Sequence, residues 1–221
     1  MKIWLISDSH CMHKDLIIPE GIDMVIHAGD FSNQRDAYRN QYEALNFLEW
    51  YKSLKVKYKV LVAGNHDTSI EKGLIDMRHY ADDIIYLQNY SITIEGIKIY
   101  GSPYTPSFGT GWAFNVDRDK IHNHWSVIPD NTDILITHGP PKGILDLTAD
   151  GQSFFQCGCK ALLDRVLDIQ PKYHVFGHIH TELNCPNAGI LQMQNCKTKF
   201  VNASVVNLDY DICNNGHVIE I

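Results

Sequence analysis

No apolar stretch in this chain of 221 residues comes near the ~20 residues needed to cross a bilayer. The first, Ile3 to Ser7, is stopped by Asp8 and is too short for the core of a secretion signal. Paired C-x-x-C spacing is also missing: the six cysteines, at 11, 157, 159, 185, 196 and 213, fit no structural zinc pattern. Without an export signal they are expected to be free thiols in a reducing cytoplasm, with Cys157 and Cys159 as packing residues rather than a redox couple. Positive charge is in deficit, with 19 Lys and Arg against 26 Asp and Glu and a net charge of -7. Long nucleic acid is therefore not an expected partner, because its binding draws on clustered cations. Repeats, low-complexity tracts and linkers are absent as well, so residues 1–221 are read as one domain, with oligomeric state left open.

What the chain does have is one pattern used five times. Ile3-Trp4-Leu5-Ile6-Ser7 runs into Asp8-Ser9-His10, and Met24-Val25-Ile26-His27-Ala28 into Gly29-Asp30. Tyr58 to Ala63 runs into Gly64-Asn65-His66-Asp67, Asp133 to Thr137 into His138-Gly139, and Tyr173 to Phe176 into Gly177-His178-Ile179-His180. Short runs rich in β-branched residues predict buried strands. Ligands of open α/β sheets bind beyond the carboxyl ends of such strands. Asp, Asn and Gly are ordinary turn residues, yet five endings that carry only oxygen and imidazole donors exceed what turns require.

Between the strands, Arg35 to Leu54 is expected to be a helix capped near Ser32-Asn33, with Tyr38, Tyr42, Leu45, Leu48 and Trp50 facing the core. A short helix is expected within Ile70 to His79, and a longer one over Cys159 to Ile169 with Leu162, Leu163, Val166 and Leu167 inward. Ser91 to Ile94 and Ile97 to Tyr100, around Glu95-Gly96, predict a β-hairpin and with it a second sheet. Lys199 to Ile221 reads as two further strands joined in a hairpin at Asn214-Asn215-Gly216. Residues 101–131 have little periodicity and carry Tyr104, Phe108, Trp112, Phe114 and Trp125. They are either a wall of the substrate pocket or a cap over the second sheet, and His13 is read as an exposed loop residue.

Two cations about 3.5–4 Å apart can activate water and clamp a phosphoryl group, and they need a shared anion to reduce their repulsion. Asp30 is the candidate bridge. Asp8, His10 and His180 would complete one ion's donors, and Asn65, His138 and His178 the other's. Imidazole, carboxylate and amide oxygen, with no thiolate, favour two divalent or trivalent ions such as manganese or iron, with zinc also compatible. Such ions would also let an acidic chain accept a small anionic substrate. His66 stands beside a ligand and could protonate a leaving oxygen, with Asp67 orienting its ring.

At these residues the chain resembles the calcineurin-like metallophosphoesterase superfamily, whose blocks Asp-x-His, Gly-Asp, Gly-Asn-His-Asp, a lone His and Gly-His-x-His all occur here in order. It is similar in particular to the branch of metallophosphoesterase-domain-containing (MPPED) proteins. That likeness rests on Gly101-Ser102-Pro103, Gly111-Trp112-x-Phe114-Asn115, Thr137 to Pro141, Gly158-Cys159, His174 to His180 and Asn202-Ala203-Ser204. The resemblance implies an α/β fold, a four-layer α/β/β/α sandwich of two mixed sheets. It also implies the same seven metal ligands, a catalytic His66 with Asp67 behind it, and Trp112, Phe114 and Asn115 as candidate substrate contacts. The expected activity is hydrolysis of small phosphodiesters, cyclic nucleotides among them, by in-line attack of a hydroxide that bridges two ions. The alternatives are a phosphomonoesterase or nuclease with the same site, or a catalytically silent scaffold of the same fold.

Overall fold

The computed structural model describes residues 1–150 and 153–221. One mixed sheet contains β1 (Lys2–Ile6), β2 (Met24–His27), β3 (Tyr58–Leu61), β4 (Ile85–Tyr86) and β15 (His217–Glu220), ordered β15-β1-β2-β3-β4. Only β15 runs antiparallel to its neighbour. The second sheet contains β5 (Tyr90–Ile94), β6 (Ile97–Ser102), β9 (Ile134–Thr137), β12 (Tyr173–Phe176), β13 (Gly189–Gln192) and β14 (Lys199–Asn202), ordered β13-β14-β12-β9-β6-β5. Its four inner strands are parallel and both edges antiparallel. Two small ladders pair β7 (Thr105–Pro106) with β8 (Asn115–Val116), and β10 (Leu147–Asp150) with β11 (Ser153–Gln156).

The helices are α1 (Ala37–Ser53), α2 (Thr68–Glu71), α3 (His122–Ser126) and α4 (Lys160–Ile169). Three clusters of buried side chains define the layers. Ile3, Leu5, Ile26 and Val60 of the first sheet meet Ile99, Ile134, Ile136 and Val175 of the second. Trp4, Ile6, Val25 and Leu61, on the opposite face of the first sheet, pack on Ala44, Phe47, Leu48 and Tyr51 of α1. Tyr100, Leu135, Phe176 and Phe200, on the outer face of the second, pack on Trp125 of α3 and Leu162 and Val166 of α4. The result is a four-layer α/β/β/α sandwich. Strands covered on both faces read as unbroken apolar runs, because neither set of alternating side chains meets water. Among the described residues no helix is long and apolar enough to cross a membrane.

Several local expectations are corrected. α1 is capped by Asp36, whose side chain accepts from the Arg39 N–H at 3.0 Å, rather than at Ser32-Asn33. Its buried face carries Asn40, Ala44, Phe47, Leu48 and Tyr51, while Tyr38 and Tyr42 are exposed. Asn40 faces inward because its amide nitrogen donates to Ser32 Oγ and to the Gln34 and His66 carbonyls, so a polar residue occupies the core side. Leu167 of α4 likewise faces solvent. The helix expected within 70–79 divides into α2 and a 3-10 turn at Met77–Tyr80, because Gly73 adopts a φ of 67°. The terminal hairpin does not form: β14 lies in the second sheet and β15 beside β1 in the first. His13 is buried against Phe47 and Trp50 and lies outside the site.

Candidate metal centre

The seven candidate donors lie on the loops that follow β1, β2, β3, β9 and β12, where these parallel strands end. Asp8 (φ 53°), His10 (φ 38°), Asp30 (φ 56°) and His178 (φ 68°) hold left-handed backbone. For residues with a Cβ such conformations cost of order 1 kcal/mol or more each and persist only where the surroundings impose them. Glycine is used instead where carboxylates need room. A Cβ at Gly177 would overlap Asp8 Oδ2, and one at Gly64 would overlap Asp30 Oδ1.

Three groups of donor atoms result, each with its members within 4.8 Å of one another: Asp8, His10 and His180; His10, Asp30 and His66; and Asp30, His138 and His178. Asp30 belongs to two of them. His66, expected beside the ligands, thus also comes within ligand range of His10 and Asp30.

The hydrogen bonds test whether cations fit. His138 Nδ1 lies 2.9 Å from the Ala28 carbonyl, which can only accept, so this nitrogen carries the hydrogen. His138 Nε2 then faces Asn65 Oδ1 at 2.9 Å and Asp30 Oδ2 at 3.1 Å, both acceptors. Three lone-pair atoms around one point suit a metal ion, with a proton on Nε2 as the substitute when no ion is bound. On the other side His10 Nε2 and His180 Nε2 approach to 3.2 Å, and His180 Nε2 lies 3.5 Å from Asp8 Oδ1. Two imidazole nitrogens at that distance cannot both carry hydrogen, so lone pairs converge there too. The residues fit two cations with nitrogen and oxygen ligands.

The electrostatics agree. Burial raises the Asp8 carboxyl pKa, but the His180 hydrogen bond and charge outweigh it and hold the group at about 2. Asp30 is buried as well, yet the facing His138 and His66 hold it well below the carboxylate range. Burial pushes His10 and His178 down to about 3, leaving both as neutral donors. His138 moves up to about 9, because the Asp30 charge overcomes the burial that would lower it. Burial and the Asp30 charge together raise Asp67 to about 7.

Asp67 sits behind the ligands rather than on the His66 ring. Its carboxylate accepts from the N–H groups of Asp30 (2.9 Å), Ser32 (3.1 Å) and Gly64 (2.7 Å) and from Ser32 Oγ (2.6 Å), tying the loops after β2 and β3 together. The orientation expected from Asp67 comes instead from the Asn33 carbonyl, 3.1 Å from His66 Nδ1. A cavity of about 230 Å³ opens over Asp30, Asn65, His66, His178 and His180. Trp112 lines it, with its ring 4.7 Å from that of His66 and the Arg35 guanidinium 3.7 Å from its own centroid. The other two expected substrate contacts face elsewhere. Phe114 is buried in the core with its ring edge-on to Tyr104, and the Asn115 amide holds Thr105 Oγ1 and the Ala113 carbonyl.

Sequence reasoning missed Tyr210. Its ring stands edge-on 4.5 Å from His10 and 5.3 Å from His180, on a loop tied by Asn207 Oδ1 to the Asp209 and Asp211 N–H groups. Only that Asn-led turn could have marked the loop in the sequence. A larger hollow of about 940 Å³, at the opposite ends of the strands around Lys98, Lys172 and Lys199, contains none of the seven donors.

The profile of the calcineurin-like phosphoesterases matches residues 1–182. The chain belongs to the calcineurin-like phosphoesterase family. Members typically hold two metal ions, and the donor groups around Asp30 are this phosphoesterase's candidates for them. The phosphoesterase is 34% identical over 241 residues to metallophosphoesterase domain-containing protein 1 of Homo sapiens, covering 98% of this chain and 69% of the relative. It is also 34% identical to the UPF0046 protein K07C11.7 of Caenorhabditis elegans, over all of this chain (100%) and 72% of the relative. The fold is shared with the solved structure of TT1561 from Thermus thermophilus (TM-score 0.61, 11% identity, 92% of this chain and 88% of that one).

Proposed function

We propose that this phosphoesterase is a dimetal phosphodiesterase acting on small diesters, with cyclic nucleotides as the substrate class and manganese or iron as the preferred ions. The observation that carries the reading is the Asp30 carboxylate, grouped with His138 and His178 on one side and with His10 on the other, where His10 is in turn grouped with Asp8 and His180. Asp8, His10, His180 and Asp30 would hold one ion, and Asp30, Asn65, His138 and His178 the other. Bound there, the ions would supply positive charge to the phosphoryl oxygens and activate the attacking water.

The chain's own residues do the rest. Asp67 fixes the Asp30 and Asn65 loops against each other, so neither donor must be ordered on binding. His66 Nδ1 donates to the Asn33 carbonyl, so Nε2 can protonate the leaving oxygen only from the imidazolium form, in which both ring nitrogens carry hydrogen. Trp112 and Tyr210 line the cavity and bound the space beside the phosphoryl group. The six free cysteines support a reducing cytoplasm as its place of action.

The test is hydrolysis of bis-p-nitrophenyl phosphate beside p-nitrophenyl phosphate, by chelator-stripped protein with Mn²⁺ added back. Diester cleavage that depends on metal is expected. Faster cleavage of the monoester would replace the diesterase with a phosphomonoesterase, and no cleavage with metal bound would favour the scaffold.

A further inference from the structure

A second cavity of about 310 Å³ adjoins the one over the metal donors. The two share Phe108, Thr148, His178 and Ile179, so they lie side by side. Phe108 forms the partition: its ring lies 5.0 Å from that of His178 and 5.5 Å from that of Trp112. Beyond it the walls are Pro106, Pro140 and Phe155, with Arg118 at the rim.

Phe155 belongs to the β10–β11 ladder, where it pairs with Thr148. Successive strand residues point to opposite faces, so Phe155 and Thr148 share the cleft side while Phe154 faces away. Phe108 and Phe155 remain 47% and 48% exposed. Two half-exposed aromatic rings beside a catalytic cavity leave apolar surface that a bound ligand would remove from water.

The cleft's polarity selects what it can take. Among the described residues the one cationic group there, Arg118, already donates to the Cys157 carbonyl at 3.2 Å and the Gly158 carbonyl at 3.5 Å. A second phosphate or carboxylate placed among the Phe108, Pro140 and Phe155 side chains would lose hydration to walls that carry no hydrogen-bond donor, while Arg118 stands at the rim. A flat uncharged ring gains from all three walls.

We infer that this cleft is the subsite for an aromatic ester arm of the substrate, a ring of phenyl or nucleobase size, with the phosphoryl group held at the metal donors. The inference rests on the phosphoesterase reading for the position of the phosphoryl group. It makes the protein selective for aryl or nucleoside phosphoesters over alkyl ones.

The experiment separates binding from turnover. Phenylphosphonate and methylphosphonate, whose C–P bonds resist hydrolysis, are titrated calorimetrically into Mn²⁺-treated protein. Phenylphosphonate is expected to bind ~10-fold tighter, the scale set by burying much of one ring. In Phe155→Ala the ratio should fall to ~2-fold, whereas in Phe154→Ala, which alters the same ladder but not the cleft, it should stay as in the unmodified protein. Equal affinities for the two ligands, no binding of either, or a ratio insensitive to Phe155→Ala would overturn the subsite. An intact ratio in a protein that cleaves no diester would instead overturn the diesterase and leave the cleft standing.

Discussion

Asp30 Oδ2 lies 3.1 Å from His138 Nε2, and this contact joins the loop after β2 in one sheet to the loop after β9 in the other. The carboxylate also belongs to the donor group containing His10 and His66, so one side chain links both halves of the site. Asp30→Asn would keep the volume and remove the charge that two neighbouring cations share. Metal content by mass spectrometry should fall from two ions per chain to one or none, and diesterase turnover by ~10²-fold or more. Retention of both ions would refute the bridging role.

Among the described residues the Asn33 carbonyl is the one hydrogen-bond partner of the His66 ring. His66→Ala should therefore leave metal content nearly intact while lowering turnover by ~10²-fold or more, the range of general acid help. The loss should be smaller on diesters with p-nitrophenolate as leaving group, which needs little protonation. Parallel loss of metal and activity would make His66 a ligand instead, as its distance to His10 and Asp30 also allows.

Gly177 leaves the space that Asp8 Oδ2 occupies. Gly177→Ala should displace that carboxylate and weaken the ion held with His10 and His180, while the ion at Asn65, His138 and His178 is retained. Metal analysis after dialysis checks this: one ion retained is the expected result, and two would show that the loop relaxes without cost.

His174 lies fully buried with Nε2 2.8 Å from Thr137 Oγ1, and that hydroxyl donates in turn to the Gly139 carbonyl. Nε2 therefore carries the hydrogen, Nδ1 has no partner among the described residues, and burial pushes the pKa down to about 3. The unfolded chain binds this proton below pH ~6.5 and the folded chain does not until near pH 3, so stability falls as pH drops through that window. The contribution is at most ~1.4 kcal/mol per pH unit. Urea midpoints between pH 7.5 and 4 should decline less steeply in His174→Gln than in the unmodified protein, and identical slopes would refute the assignment.

The strands that carry the site were legible because each is covered on both faces and so appears as an unbroken apolar run ending in a polar donor. Helix α1 was less legible. Its exposed Tyr38 and Tyr42 read as core, while Asn40, which an apolar stripe does not include, is buried for its hydrogen bonds. Burial there follows partners from Ser32 and His66, which hydrophobic periodicity cannot register. Phe114 and Trp112 sit two apart in one loop, yet one fills the core and the other lines the cavity. Composition could not separate them, because an irregular loop has no period that assigns faces.

The sequence by itself determined the donor types and their order, five strand endings bearing carboxylate, imidazole and amide oxygen, because each motif is local to one short turn. Tertiary structure decided what lies between them. It set Asp67 as the tie between two loops, gave the His66 ring to the Asn33 carbonyl, sent β14 and β15 to different sheets, and brought Tyr210 to the edge of His10. Each of these depends on contacts between distant segments whose register is fixed only when two sheets pack face to face, and no local pattern carries that information.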